Sequence, residues 1–327
     1  MTDVRGWPTR DLRRAAVTGG AGFVGQNLIR TLLAAGLSVR SVDNRPAPPM
    51  PGVEAVTADL QDQAAAREAL ADVDVVFHLA GNPSGTVSVQ NPLLDFASNA
   101  TVGINVLEAV RHHAGTRLLY LSSAMVYGRP ETSPCEEHDR CQPFYPYGAS
   151  KLSVEHWLNS YVATYNIDAS SARAFVVYGP GEDPRRAGAE VGQFLRWQLN
   201  GMQIQVVGDL DIKARDFVHV DDLSRGLLVA ARAGQPGSVY NVGSGTRHSL
   251  RELIALIEAA TGTAADVAVD RSDLTDSYAL VADITRLREL GYEPQVSLAD
   301  GIKQLADELG PAPAPPQLAT VLTAEGR

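Results

Sequence analysis

The chain has 327 residues, of which 45% are hydrophobic and 20% are charged, so it can bury a large core in one large domain or two coupled ones. Its formal net charge of -10 disfavours non-specific binding to nucleic acid or to an anionic membrane surface. Because no stretch resembles a secretory signal or reaches the roughly 20 apolar residues of a membrane span, we expect a cytoplasmic protein with no nucleic-acid or membrane partner.

The segment from residue 15 to 125 alternates short apolar runs with amphipathic stretches, as βαβ units do. A helix is predicted over residues 23–35, with Gly36 after its end. The predicted strands cover residues 15–18, 38–42, 53–57, 73–79 and 117–122. This pattern predicts an α/β fold, a Rossmann-type doubly wound parallel sheet that binds its ligands beyond the carboxyl ends of its strands.

A glycine-rich loop, TGGAGFVG at residues 18–25, stands between the first predicted strand and the first helix. Its Gly20, Gly22 and Gly25 satisfy the G-x-G-x-x-G spacing, which lets a pyrophosphate approach the backbone and the helix amino terminus. The sequence therefore predicts a dinucleotide site. The loop residues expected to contact the cofactor are Gly19, Gly22, Phe23, Val24 and Gly25.

An acidic residue, Asp43, ends the second predicted strand about 20 residues after the glycines, where a carboxylate accepts hydrogen bonds from an adenosine ribose. A carboxylate repels a 2′-phosphate, so NAD is favoured over NADP, although Arg45 could still accommodate that phosphate. We expect Asn44, beside Asp43, to contact the same half of the cofactor.

Two cysteines, Cys135 and Cys141, fall in a segment that we predict to be a loop. Two cysteines neither form a disulfide scaffold nor complete a zinc site, so we expect reduced thiols and no metal. Oxidative cross-linking of the pair is the less favoured alternative.

Tyr147 and Lys151 stand four residues apart at the start of a helix predicted over residues 147–165. Residues i and i+4 share a helix face, so the ammonium can lie beside the phenol and favour its ionised form. Ser123, at the end of a predicted strand, can share the proton being moved and orient the reacting oxygen. These three residues are the predicted catalytic set.

The rest of the chain is predicted to add one apolar strand through residues 173–177 and then an irregular, smaller mixed α/β lobe. Within that lobe, Ser249 and Glu252 form a capping box, and Gly262 ends the helix that it opens. We predict an NAD-binding domain over residues 15–173 and about 217–242, and a substrate-binding lobe over residues 174–216 and about 243–310. Residues 1–14 and 311–327 are predicted to be flexible tails.

Polar residues at two further strand ends are assigned structural roles. His78 and His219 each end an apolar strand, so packing is favoured over catalysis. Asp221 and Asp222 open the following helix and are predicted to cap it.

Taken together, the motifs resemble the extended short-chain dehydrogenase/reductase family, and within it the nucleotide-sugar epimerases and dehydratases, most closely the UDP-sugar 4-epimerases. The resemblance extends over about residues 15–305, with the motifs in the family's order. They are TGGAGFVG (18–25), ADL (58–60), HLAG (78–81), SSAMVYG (122–128), YGASK (147–151), YGP (178–180), RDFVHVDD (215–222) and YNVGSG (240–245).

The resemblance implies further contacts in both halves of the site. Asp59 and Leu60 should flank the adenine, and Asn99 should lie on the long helix behind the cofactor. Arg215 and Arg271 should hold the diphosphate of a nucleotide sugar, as guanidinium groups do. The cofactor trough should be lined by Leu79, Ala80 and Gly81, its nicotinamide end by Phe175, and NAD should also contact Tyr147 and Lys151. A homodimer through helices at about residues 92–113 and 147–165 is also implied.

Two departures from the family pattern bear on the reaction. Val176 occupies the position of an asparagine that contacts the substrate, so that side chain's hydrogen bond is missing. Ala124 and Met125 follow Ser123 where sugar 4,6-dehydratases carry an acid pair, and neither residue can move a proton. The favoured function is therefore an NAD-dependent nucleotide-sugar 4-epimerase that acts through a transient 4-keto sugar, with Tyr147 as the base.

Other functions stay open at this point. The nearest are a 4,6-dehydratase with acids from elsewhere, a decarboxylase and a 4-ketoreductase, all acting on a nucleotide sugar. A non-catalytic NAD-binding sensor is the remote alternative, because a fold alone does not establish a function.

Overall fold

Strands and helices alternate through most of the molecule, which a computed structural model describes for residues 10–184, 190–272, 274–275 and 277–316. The strands are β1 (Arg14–Thr18), β2 (Ser38–Asp43), β3 (Val53–Thr57), β4 (Val75–His78), β5 (Arg117–Ser123), β6 (Asp168–Ala174), β7 (Val176–Tyr178), β8 (Ile204–Val207), β9 (Ala214–Arg215), β10 (Phe217–His219), β11 (Val239–Val242), β12 (His248–Ser249), β13 (Val267–Asp270) and β14 (Ala279–Leu280). The helices are α1 (Phe23–Ala34), α2 (Gln63–Ala69), α3 (Gly85–Gln90), α4 (Pro92–Phe96), α5 (Val102–His112), α6 (Pro146–Tyr165), α7 (Glu190–Leu199), α8 (Val220–Ala233), α9 (Leu250–Thr261), α10 (Thr285–Arg288) and α11 (Leu298–Leu309).

Within the described residues, seven strands form one parallel sheet in the order β11-β6-β5-β4-β1-β2-β3. The chain winds outward from β1 in both directions, as doubly wound folds do. Helices α1 and α8 pack on one face, while α2, α5 and α6 cover the other. Because both faces are covered, Val75, Val76 and Phe77 in β4 are all buried. The predicted Rossmann-type sheet is confirmed.

The strand predicted over residues 173–177 is two strands in the structure, because the chain changes sheets at Phe175. β6 ends at Ala174 in the main sheet, whereas β7 pairs with β10 in a separate two-stranded sheet. The Phe175 N–H still donates to Val242 in β11, and the next N–H, of Val176, donates to Asp216 instead. The apolar pattern of the sequence does not show where adjacent residues change hydrogen-bond partners, so it could not predict this change of sheet.

The helix implied for residues 92–113 is not one regular α-helix. A π-helical turn (Ala97–Thr101) joins α4 to α5 and contains the buried Asn99. π-Turns of this kind often occur at functional sites. The helix predicted from residue 147 begins one residue earlier, at Pro146.

The smaller lobe has its own apolar cluster, formed mainly by α7, α9 and α11. β8 pairs with β13, while β12, β9 and β14 form a three-stranded sheet. The predicted capping box is confirmed, because Ser249 Oγ accepts from the Glu252 N–H at 3.2 Å and Glu252 accepts from the Ser249 N–H at 2.7 Å. Gly262 ends α9 in the left-handed region, with φ +69°.

Parts of the predicted tails hydrogen-bond to the folded chain. Arg10 pairs with Asp168 at 2.6 Å, and the carbonyl oxygen of Pro313 accepts from Asn200 at 2.9 Å. Residues 1–9 and 317–327 lie outside the described residues. No helix in the described ranges is long and apolar enough to cross a membrane.

Candidate active site

The glycine loop lies at the carboxyl end of β1 and leads directly into α1. Gly19 has φ +70°, and a Cβ there would lie 2.9 Å from the Ala80 nitrogen. A Cβ on Gly25 would lie 2.2 Å from the carbonyl oxygen of Gly19. Only glycine fits these positions, and the first turn of α1 has no side-chain cap at Gly22. The loop thus presents backbone N–H groups and a helix amino terminus, an arrangement that fits a pyrophosphate.

Asp43 lies against this loop at the end of β2. Its carboxylate accepts from the Ala21 N–H at 3.1 Å and from the Arg45 N–H at 3.0 Å. The Arg45 guanidinium lies 3.4 Å from the same carboxylate. Asn44, which follows, is exposed. An acceptor held beside the glycine loop fits the ribose of a dinucleotide.

The loop after β4 forms the adjacent edge of the site. Leu79 and Ala80 donate their N–H groups to Thr18 Oγ, each at 3.1 Å. Gly81 has φ +150°, and a Cβ there would lie 2.2 Å from Asn99 Oδ1, so Gly81 and Asn99 are in direct contact. Of the other predicted cofactor contacts, Asp59 is exposed and Leu60 is buried after β3.

Ser123, Tyr147 and Lys151 come from two elements that pack together, the end of β5 and the first turns of α6. Burial raises the pKa of Tyr147 to about 12, and a hydrogen bond with Ser123 acts in the opposite direction. Burial also lowers the pKa of Lys151 to about 8, against the influence of Asp95 and Glu155. The lysine Nζ donates to the Leu121 carbonyl at 3.0 Å.

The expected effect of Lys151 on the phenol is not the dominant one in this structure. Its Nζ lies 5.9 Å from the centroid of the Tyr147 ring, and burial of the phenol outweighs the nearby charge. The Ser123 hydroxyl and the Lys151 ammonium are the groups that can stabilise the Tyr147 phenolate.

The two predicted diphosphate ligands have different surroundings. Arg215 is buried in β9, with its guanidinium 4.7 Å from the centroid of the Tyr278 ring and 3.6 Å from Glu190. Arg271 has a side chain that is 64% exposed and lies 3.9 Å from Asp209. Both remain predictions as substrate ligands. At the β6–β7 junction, Phe175 is buried and Val176 is partly exposed.

The residues after Ser123 form a 3₁₀ turn (Ala124–Val126) that contains no ionisable side chain. His78 is buried, with Nδ1 2.8 Å from Thr18 Oγ, and burial lowers its pKa to about 3. It is therefore neutral and bonded within the sheet, in agreement with a packing role. Across the described ranges no cluster of three or more His, Cys, Asp or Glu residues is arranged to hold a metal ion.

A buried polar network behind the site was not expected from the sequence. Asn99 donates to Asp95 and to Ser150, each at 3.0 Å, and Asp95 also accepts from Asn82 at 2.8 Å. Asp95 and Asn99 stand one helical turn apart, which is the single local signal that could have linked them. Asn82 and Ser150 come from other parts of the sequence and enter this network only through tertiary packing.

Comparison with known proteins finds relatives in sequence and in fold over most of the chain. A family model described as "NAD dependent epimerase/dehydratase family" matches residues 15–243. A UDP-glucose 4-epimerase of Mycolicibacterium smegmatis is 34% identical over 307 residues, which cover 90% of this chain and 97% of that protein. A dTDP-glucose 4,6-dehydratase of Streptomyces antibioticus is 31% identical over 315 residues, covering 89% and 90% respectively.

A solved structure agrees with these matches. The crystal structure of a Thermus thermophilus UDP-glucose 4-epimerase in complex with NAD has a TM-score of 0.81 at 33% identity, covering 90% of this chain and 98% of that one. These findings confirm the resemblance drawn from the motifs, and with it the prediction of NAD as the cofactor.

Proposed function

This chain belongs to the NAD dependent epimerase/dehydratase family, and on that premise we propose that it is a nucleotide-sugar 4-epimerase. The observation that carries the proposal is the convergence of Ser123, Tyr147 and Lys151 at the carboxyl end of β5, where a turn without acids follows Ser123. That set can move one proton at one carbinol and offers no partner for an elimination step.

Each residue has a role in the proposed reaction. Tyr147 accepts the proton of the C4 hydroxyl and returns it after the keto sugar has turned over. Ser123 hydrogen-bonds the same oxygen, and Lys151 binds the nicotinamide ribose and stabilises the phenolate. NAD supplies the hydride acceptor that makes the oxidation at C4 reversible.

The binding residues divide between cofactor and sugar nucleotide. The N–H groups at the start of α1 hold the cofactor pyrophosphate, and Asp43 accepts from the adenosine ribose. Arg215 and Arg271 bind the diphosphate of the substrate, where a guanidinium can make paired charge-assisted hydrogen bonds. Val176 offers only apolar contact to the sugar.

A 4,6-dehydratase is the second candidate, because three relatives with that name match most of the chain. Elimination of a C6 hydroxyl needs a general acid for the leaving group and a base at C5. Ala124 and Met125 can serve neither role. A dehydratase would therefore have to recruit acids from another element.

Product analysis separates these candidates. The purified protein is incubated with NAD and, one at a time, with the glucose, glucuronic acid and N-acetylglucosamine forms of a UDP sugar and with dTDP-glucose. Epimerisation leaves the mass unchanged and changes the chromatographic mobility. A product lighter by one water would replace the proposal with a dehydratase, and one lighter by carbon dioxide would replace it with a decarboxylase.

The same proposal includes a homodimer. Leu93, Phe96 and Trp157 are 81%, 56% and 47% exposed on α4 and α6, two helices that pack together. We propose that these side chains form one apolar surface, as is typical of a protein interface. Sedimentation should give twice the monomer mass, and a Leu93→Glu, Phe96→Glu double variant should give a folded monomer. A wild-type monomer at working concentration would contradict the dimer.

A further inference from the structure

A chain of hydrogen bonds runs from a buried carboxylate to the backbone of the proposed catalytic tyrosine. Asp95 is 1% exposed, and its Oδ1 accepts from the Asn99 amide at 3.0 Å. The same amide donates to Ser150 Oγ at 3.0 Å, and Ser150 Oγ donates to the Tyr147 carbonyl at 2.9 Å. Each of the three side chains is buried. The first turn of α6 is thereby tied to α4 through the π-helical turn.

The second carboxylate oxygen of Asp95, Oδ2, takes no part in this chain of hydrogen bonds. Oδ2 is buried and makes no hydrogen bond within the described residues, while Oδ1 accepts from both Asn82 and Asn99. Two N–H donors aimed at one oxygen need an acceptor at position 95, but they do not need a charge. A buried carboxylate that only closed the network would be costly compared with an amide.

The charge lies near Lys151, because the network that holds Asp95 reaches Ser150, the residue before this lysine. Burial lowers the pKa of the Lys151 ammonium, while Asp95, and Glu155 from one turn further along α6, act to raise it. Glu155 is itself paired with Arg173 at 2.7 Å, so much of its charge is already compensated. His78 on β4 and Tyr120 on β5 also face the lysine, with Nζ 5.2 Å from the centroid of the Tyr120 ring.

We propose that Asp95 is a positioning residue of the proposed epimerase, one that anchors the first turn of α6 through Asn99 and Ser150 and sets a negative charge beside Lys151. This inference rests on the proposed function. Its two components, the anchoring chain and the charge, can be removed separately.

Three variants make that separation. Asp95→Asn keeps an acceptor for Asn82 and Asn99 and removes the charge, whereas Asp95→Ala removes both. Ser150→Ala breaks the far end of the chain and leaves the charge. Asp74→Asn is the matched control, because its carboxylate also accepts two N–H donors, from Arg13 and Arg14, at the opposite edge of the sheet.

The charge is measured without any substrate. Lys151, Lys213 and Lys303 are the three lysines of the chain, so the side-chain carbon next to each ammonium can be followed by NMR during a pH titration, with Lys213→Arg and Lys303→Arg to assign the signals. Asp95→Asn should lower the pKa of Lys151 by about one unit, as loss of a nearby opposite charge does. Ser150→Ala and Asp74→Asn should leave it unchanged. An unchanged Lys151 pKa in Asp95→Asn would overturn the electrostatic part.

The anchoring is measured by turnover. Asp95→Ala and Ser150→Ala should each lower kcat by about tenfold to a hundredfold with KM changed less than about threefold, because a small misplacement of reacting groups has effects of this size. In Asp95→Asn the decline of kcat at high pH should begin about one unit lower. Wild-type kcat in Ser150→Ala would overturn the anchoring chain even if Asp95→Ala does not fold.

The two proposals fail in different ways. If the wild-type protein interconverts no nucleotide sugar, the proposed function fails, and the lysine titration still decides whether Asp95 acts on Lys151. If sugars are interconverted and all three variants match the wild type in kcat and in the Lys151 pKa, the proposed role of Asp95 is wrong and the function stands.

Discussion

The cofactor side and the substrate side of the candidate site are built by different means. On the cofactor side, Gly19, Gly25 and Gly81 bring backbone against backbone or against Asn99, with no room for a Cβ. On the substrate side, the predicted ligands Arg215 and Arg271 are long side chains already engaged with Glu190 and Asp209. A binding site formed by the backbone can be predicted from the positions of its glycines. A binding site formed by long side chains cannot, because each side chain can pair with more than one group in the folded protein.

The largest effect on turnover is expected at Tyr147, which is predicted to contact both the cofactor and the substrate. Tyr147→Phe should lower kcat by about a thousandfold, because loss of a positioned general base has effects of roughly this order. Interconversion of the nucleotide sugar at saturating NAD measures it. Tyr165→Phe, the same change at the exposed end of α6, is the control and should match the wild type. Sugar turnover that survives in Tyr147→Phe would show that another group is the base.

The cofactor side can be tested through one pair of glycines. Gly19→Ala should weaken NAD binding by about a hundredfold, since a Cβ would both strain a positive φ and displace the loop. Gly36→Ala is matched, because Gly36 also has a positive φ, +84°, but a Cβ there would meet nothing within 4 Å. Calorimetric titration with NAD and the melting temperature of each variant separate strain from contact. Equal losses of NAD affinity in the two variants would contradict the close-approach argument.

A change on the substrate side should affect binding of the nucleotide sugar and leave binding of NAD unchanged. Arg215→Met is expected to raise KM for the nucleotide sugar by about tenfold to a hundredfold, as loss of a charge-assisted hydrogen bond to phosphate does. NAD affinity should stay within about twofold, because Arg215 lies outside the glycine loop. Glu190→Gln controls for the lost ion pair and should leave KM close to that of the wild type. A fall in NAD affinity with an unchanged KM for the sugar would show that Arg215 contacts the cofactor and not the substrate.

The smallest expected effect is a pH dependence. Burial lowers the pKa of Lys151 to about 8, so its charge is present below that pH and is lost as pH rises through it. We therefore expect kcat to decline above pH 8, by at most about tenfold per unit. Lys151→Arg should have a lower kcat but no decline in that range, since guanidinium stays protonated. A wild-type kcat independent of pH between 7 and 10 would contradict a requirement for the ammonium.

Predictions from local rules agree closely with the structure. The capping box of Ser249 and Glu252, the αL glycine at 262 and the strand that ends at Asp43 depend on residues within a few positions of one another. One prediction from a local rule was wrong, because a distant segment claims the side chain. Asp221 and Asp222 are predicted to cap their helix, but its N-cap is His219, which accepts from the Asp221 N–H. The Asp222 carboxylate accepts from Gln295 and Val296, more than 70 residues away, and pairs with Arg225.

By itself, the sequence determined the doubly wound sheet and the dinucleotide loop, because apolar periodicity and glycine sterics act over a few neighbouring residues. The resemblance of its motifs gave the family. The sequence also brought Tyr147 and Lys151 to one face of a helix. Only the tertiary structure decided that Phe175 leaves the main sheet, that burial governs the pKa of the Tyr147 phenol, and that Asp95 joins a buried network with Asn99 and Ser150. Those outcomes depend on which segments exclude water from one another, and that follows from packing across the whole chain.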